Sequence, residues 1–156
     1  MQDLVSNFHL DNAALGHLTS FVQFGFIVGT LLFAVFTIAD RFLPSWVFFC
    51  CAILGALFNV GLLWEGNSFN SIIGFRFLTG FFLAGIYPVG MKIASDYYDK
   101  GLGKSLGFLV GALVLGTAFP HLLKSFTGHI SWKYVILFTS VIAVLGGLLM
   151  ALFIPT

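Results

Sequence analysis

Residues 134–154 read YVILFTSVIAVLGGLLMALFI, an apolar stretch without a charged residue that stops at Pro155. A helix needs about 20 such residues to cross the hydrocarbon core of a bilayer. Four similar runs precede it, at residues 13–39, 46–64, 71–94 and 102–123. None alternates polar and apolar residues with a period of two, as the strands of a membrane barrel would. The sequence therefore predicts an all-α membrane protein, a polytopic bundle of five transmembrane helices over residues 13–154 that follows a tail at residues 1–12.

The composition agrees with lipid surroundings and excludes several functions. Hydrophobic residues make up 59% of the 156 positions and charged residues only 8%, whereas soluble domains carry about a quarter charged residues. The formal net charge of +1 provides no basic field for nucleic acid. We therefore expect membrane lipid as a partner and no nucleic acid.

The residue types that commonly carry catalysis or bind metals are scattered. Cys50 and Cys51 are adjacent within an apolar run and form no C-x-x-C pair, and the four histidines lie at or near the ends of runs. No HExxH sequence and no serine elbow motif is present. We therefore expect no catalytic residue, no metal, no cofactor and no enzymatic activity.

The basic residues predict the orientation of the bundle. The first and third connectors and their flanks carry Arg41, Lys92, Lys100 and Lys104, whereas the second and fourth carry only Lys124 and Lys133. Connectors rich in Lys and Arg stay in the cytoplasm. We therefore expect an extracytoplasmic tail at residues 1–12 and a cytoplasmic C-terminus.

Arg76 is the one charge well inside a predicted span. It lies five residues into the third run, roughly 7 Å along a helix from that end. An arginine there can snorkel to the outer headgroups. Alternatively, it faces a watery cavity and meets a solute anion, a backbone carbonyl, water or a segment that this sequence lacks, because an ionisable group at depth is costly unless it is partnered.

A polar stripe on the first span also suggests a cavity. Thr19, Gln23, Thr30 and Thr37 follow one another at steps of four, seven and seven, which places them on one side of a helix. Either this side lines a path for solute, or the hydroxyls bond back to their own helix and Gln23 bonds to a neighbouring helix.

Small residues four apart favour close contact between helices in a membrane. Three such pairs are present: Gly25 with Gly29, Gly80 with Ala84, and Gly107 with Gly111. Pro88 and Pro120 lie inside spans, where each is expected to kink its helix or to leave a carbonyl unbonded.

The stretch from Arg76 to Pro88, RFLTGFFLAGIYP, resembles the fourth-helix motif of major facilitator superfamily transporters. In that motif an arginine stands four residues before a glycine and twelve before a proline. The run KGLGKSLG at residues 100–107 is similar to the basic, glycine-rich entry to helix five. The resemblance covers nearly the whole chain and implies helices two to six of the N-terminal half.

The resemblance also implies a function and its partners. The chain would be a fragment of a secondary active transporter that moves a small polar or anionic solute by alternating access, with or without a coupling ion. Its partners would then include a first helix and a C-terminal half that this sequence lacks, and its place would be the bacterial inner membrane. Arg76, Gln23, Thr19 and Thr30 would line the solute cavity. The alternative is a membrane scaffold or assembly protein that transports nothing.

Asp40 and Arg41 look like the core of the family's loop motif between helices two and three. This implies a gating loop, with Asp96 or Asp99 as the expected partner of Arg41. The sequence departs from the motif at Phe36, where the family has a glycine, and at residues 43–45, which replace its basic tail. The patterns of drug/proton exporters and nitrate porters are absent.

Overall fold

The computed structural model describes residues 12–98, 100–127 and 131–154. The helices are α1 (Asn12–Val35), α2 (Ile38–Arg41), α3 (Pro44–Gly61), α4 (Phe69–Leu83), α5 (Ile86–Tyr97), α6 (Leu102–Thr127) and α7 (Trp132–Phe153). Five segments are long and apolar enough to cross a membrane: Gly16–Val35, Pro44–Gly61, Phe69–Tyr97, Leu102–Phe119 and Trp132–Phe153. The predicted all-α bundle with five spans is therefore confirmed. The tail at residues 1–11 lies outside the described residues.

The third span consists of two helices, α4 and α5, which meet at Ala84 and Gly85. The amide of Gly85 donates to the carbonyl of Phe82 at 3.1 Å, three residues back instead of four. The cause lies four residues after Ala84, where Pro88 has no N–H to donate to the Ala84 carbonyl. The span is therefore interrupted one turn before Pro88 and not at the proline itself.

The first span ends earlier than the apolar run suggests. Helix α1 stops at Val35, and α2 begins at Ile38 after a turn in which Thr37 has φ 47° and ψ 43°. This left-handed conformation costs a residue with a Cβ about 1–2 kcal/mol. The expected continuous helix to residue 39 is thus replaced by a bend, and the next helix starts at Pro44, a residue suited to a first turn.

The helices pack as a layer around α3 and α4. Helix α4 contacts α1 on one side and α3 on another, while α7 packs on α3, and α5 contacts both α3 and α6. Near the loop after α3, a cluster of buried side chains joins four spans: Leu18, Leu62, Ile72, Trp132 and Ile136. Many large apolar side chains elsewhere remain exposed, as expected where lipid is the solvent.

Candidate functional site

The contact between α1 and α4 is a seam of backbone against backbone. A Cβ placed on Gly25 would overlap the carbonyl of Phe77, and one on Gly80 would overlap the carbonyl of Val22. A Cβ on Gly29 would come within 2.5 Å of the Phe81 carbonyl oxygen. Such closeness lets carbonyls accept weak Cα–H bonds across the seam. The two helices therefore touch as closely as glycine permits.

Phenylalanine rings connect this seam to α3. Phe77 packs near Phe24 of α1, with ring centroids 5.9 Å apart, and Phe82 stacks on Phe58 of α3 at 5.6 Å. Phe81 and Phe82 are neighbours on α4 and pack edge to face, with ring centroids 5.2 Å apart. Rings in these geometries add stabilisation beyond the area they bury. Helix α4 is thus held rigidly from two sides.

Arg76 lies on the flank of α4 between these two contacts. The Phe77 and Gly80 side of α4 faces α1, while Ile72, one turn before Arg76, packs with Trp132 and belongs to the buried cluster. The Arg76 Nε atom is buried, although the residue as a whole is only half-buried. About 10 Å of helix separates it from the start of α4. The Nε end of the Arg76 guanidinium group is therefore covered by protein within the span.

The polar stripe of α1 lies on a different face. Gln23 precedes Gly25 by two residues, a turn of about 200° around the helix, so its side chain points away from α4. Thr19 and Gln23 are exposed, and the Thr30 hydroxyl donates to the Phe26 carbonyl at 2.8 Å. The structure therefore does not bring Gln23 together with Arg76.

At the opposite end of the third span, one lysine contacts two carboxylates. Lys92 Nζ lies 3.4 Å from Asp40 Oδ1 and 3.2 Å from Asp96 Oδ1. The three side chains are partly exposed. We call this group the Lys92 latch, because it ties α2 to α5 across the bundle.

The sequence interpretation assigned Arg41 as the partner of Asp96, and the structure places Lys92 there instead. Lys92 and Asp96 are four residues apart on α5, a spacing at which side chains meet on a helix. That spacing is the signal in the sequence from which the Lys92–Asp96 pair could have been predicted. Arg41 is exposed, and Asp99 lies outside the described residues.

A polar contact between α3 and α7 went unnoticed in the sequence. The Asn59 amide donates to Ser140 Oγ at 3.0 Å and lies within 3.5 Å of Thr139 Oγ1. Lys133, in the first turn of α7, has its Nζ 3.5 Å from Oε1 of Glu65 on an exposed surface. Gly147 approaches Ala52 in the middle of α3. Helices α3 and α7 therefore form one unit.

The remaining residues singled out by the sequence lie on or near α6. A Cβ on Gly107 or Gly111 would meet no atom within 4 Å in the described part of the chain. The helix continues past position 120, and the side chain of Pro120 is outside the described ones. Their expected roles in packing and kinking stay predictions.

The described residues contain no group of three or more His, Cys, Asp or Glu side chains that could hold a metal ion. Within the same residues, Cys51 is buried and Cys50 is exposed, and neither forms a disulfide.

Comparison with known proteins links this architecture to a family. The model of the Major Facilitator Superfamily matches residues 1–156. An uncharacterized transporter of Buchnera aphidicola subsp. Baizongia pistaciae is 28% identical over 119 residues, which are 75% of this chain and 27% of that protein. The chain thus spans about a quarter of the relative's length. No solved structure matches.

Proposed function

Because the chain belongs to the Major Facilitator Superfamily, a family of transporters, we propose that it forms part of a secondary active transporter. The whole protein moves a small polar or anionic solute, with or without a coupling ion, by alternating access. The observation that carries this proposal is the covered position of Arg76 within the third span. A cation kept at that depth is costly, and such residues commonly mark solute or ion pathways.

In this proposal Arg76 is the charge that attracts the solute. Its planar guanidinium offers parallel N–H donors that match a carboxylate or a similar anion. The face of α1 that points away from α4 carries Thr19, Gln23 and Thr30. In the complete protein these residues would line a separate polar surface, which requires that further helices pack around them.

The Lys92 latch is proposed to bias the opening of the cytoplasmic side. Asp40 of α2 and Asp96 of α5 share one lysine. Movement of α2 away from α5 therefore separates the Asp40 carboxylate from the Lys92 ammonium group. An exposed pair contributes about 0.2–1 kcal/mol, enough to bias two states without holding the fold. Arg41, next to Asp40, adds a cation to the same loop.

The partners proposed for this chain are lipid, solute and the remaining helices of the transporter. The wide exposed surface of α6 and the greater length of the bacterial relative support further helices. The location is a multi-pass position in the cell membrane, proposed to be a bacterial inner membrane with the Lys92 latch in the cytoplasm. A cysteine introduced at Ser95 should then react with a thiol reagent only from the inside.

Uptake by proteoliposomes that contain the complete protein tests the proposal. Radiolabelled mono- and dicarboxylates form one arm, and neutral sugars form the other. Accumulation of at least one solute above empty vesicles supports a transporter, and preference for carboxylates supports the role of Arg76. A well-folded protein that moves neither class would favour the alternative of a membrane scaffold, in which contacts such as Asn59 with Ser140 only join helices.

A further inference from the structure

The bend between α1 and α2 holds a residue in a conformation that its type disfavours. Thr37 is the non-glycine residue with a positive φ among those that the structure describes. Helices often end on a left-handed residue, but that residue is usually glycine, because a Cβ crowds the neighbouring carbonyl. A branched Cβ makes this conformation a rarer outlier. Such strain persists only where surrounding contacts enforce it.

The local sequence gives no reason for the bend. Residues 36–41 read FTIADR, without glycine or proline, and the apolar run continues through the turn. On both sides the chain is already helical, and the amides of Asp40 and Arg41 donate to the Thr37 carbonyl at 2.9 and 3.1 Å. A change of the turn at residues 36–37 to helical angles would therefore join α1 and α2 into one helix.

Joining the helices would also form new backbone hydrogen bonds. The Thr37 amide now donates to the Ala34 carbonyl, three residues back, at 3.1 Å. In a continuous helix the amide of Ile38 would take that carbonyl, and the amide of Ala39 would bond to Val35. Both the strain at Thr37 and these bonds favour the straight form.

Contacts on the cytoplasmic side favour the bent form. Helix α2 packs against α3 and α5, and Asp40 Oδ1 lies 3.4 Å from Lys92 Nζ. A straight helix would continue along the axis of α1 at about 1.5 Å per residue, so Asp40 would leave the bent position in which it contacts Lys92. The ion pair and the left-handed threonine therefore oppose each other.

We propose that the segment from Phe36 to Arg41 is a two-state element. It is bent while Lys92 holds Asp40, and it becomes a continuation of α1 when that pair opens. The latch thereby controls the length of the first span and not merely the spacing of two side chains. This inference rests on the proposed gating role of the latch, but it does not depend on which solute is carried.

Amide hydrogen exchange tests the element without a transport assay. The complete protein that carries this chain is placed in lipid nanodiscs without solute, and exchange is followed at Ile38 and Ala39. Asp40→Asn removes the ion pair at nearly constant shape, so these amides should exchange more slowly, by at most about fivefold, the largest shift of the equilibrium that one exposed pair supports. Lys92→Gln, which removes the same pair from α5, should have the same effect.

Two further variants separate this switch from general loosening. Thr37→Gly relieves the strain of the bend and, combined with Asp40→Asn, should return the exchange of Ile38 and Ala39 to the rate of the unmodified protein. Lys133→Gln breaks the exposed pair with Glu65 elsewhere and should leave both amides unaffected. Unchanged or faster exchange in both single latch variants, or equal slowing by Lys133→Gln, would overturn the proposal. If the two amides exchange more slowly in the latch variants but the unmodified complete protein transports no solute, the result counts against the proposed function and not against the two-state element.

Discussion

The carbonyl of Phe77 lies against the Cα of Gly25, so close that any Cβ at position 25 would overlap it. The reciprocal contact, of the Val22 carbonyl with Gly80, places the second glycine on the opposite side of the same seam. Lipid supplies no hydrophobic drive for helices to associate, so their attraction depends on close packing of this kind. The seam between α1 and α4 therefore fixes the helix that carries Arg76.

Gly25→Ala is expected to destabilise the bundle by about 1–3 kcal/mol, because the added methyl group forces the two backbones apart. The measurement is reversible unfolding in mixed micelles. Gly74→Ala on α4 is the matched control, since a Cβ there would meet no atom of the described residues within 4 Å. That control should be neutral, or stabilise the helix by about 0.5–1 kcal/mol. Equal losses in both variants would contradict a specific seam.

Much of this architecture could be predicted from the sequence, because a span needs only length and low polarity. The partner of each glycine pair could not be predicted in the same way. Gly25 and Gly107 both begin a small-xxx-small pair, yet the first contacts a backbone, whereas a Cβ on the second would meet no described residue within 4 Å. The spacing of small residues along one helix shows which surface is suited to close packing. Which helix packs on that surface depends on the tertiary fold.

The site shows the same limit. Arg76 could be identified from the sequence, because the free-energy cost of a charged side chain in a membrane depends on its residue type and its position in the span. The bend at Thr37 was not, since no glycine or proline marks it and contacts from distant α5 accompany it. Lys92 was likewise missed as the partner of Asp40, because α3 and α4 separate α2 from α5 in the sequence and only the tertiary fold brings the two residues together.

The Asn59 contact is expected to stabilise the pairing of α3 with α7 modestly. Asn59→Leu removes the donor to Ser140 Oγ at similar volume and should lower stability by about 0.6 kcal/mol, and at most about 1.7. A double-mutant cycle with Ser140→Ala measures this coupling directly. Asn70→Leu, at an exposed position, serves as the control. A coupling indistinguishable from zero would show that the contact is not a source of stability.

Asp40→Asn is expected to alter the transport rate more than the affinity for solute. The variant weakens the tie between α2 and α5 but leaves Arg76 untouched, so the balance between two conformations changes by about 1.4- to 5-fold, as one exposed ion pair allows. The maximal rate and the half-saturating concentration are measured in the same vesicles. Lys133→Gln should change neither. Lost binding at an unchanged rate would assign Asp40 to the solute site instead.

Arg76 distinguishes a transporter from a scaffold most directly. A charged residue costs about 2.5–3.5 kcal/mol at the centre of a span on the insertion scale and less nearer its end, where Arg76 lies, and a bundle held only by packing would be relieved of that cost by a neutral residue. Arg76→Gln should therefore insert at least as well as the natural protein while losing most of the transport. Arg76→Lys keeps the charge but not the planar fork that grips a carboxylate, so it too should lose most activity. Lys104→Gln, which removes an exposed charge near the start of α6, is the control and should transport normally. Transport at the natural rate by both Arg76 variants, with insertion intact, would refute the assignment, because a cation that binds the solute cannot be dispensable.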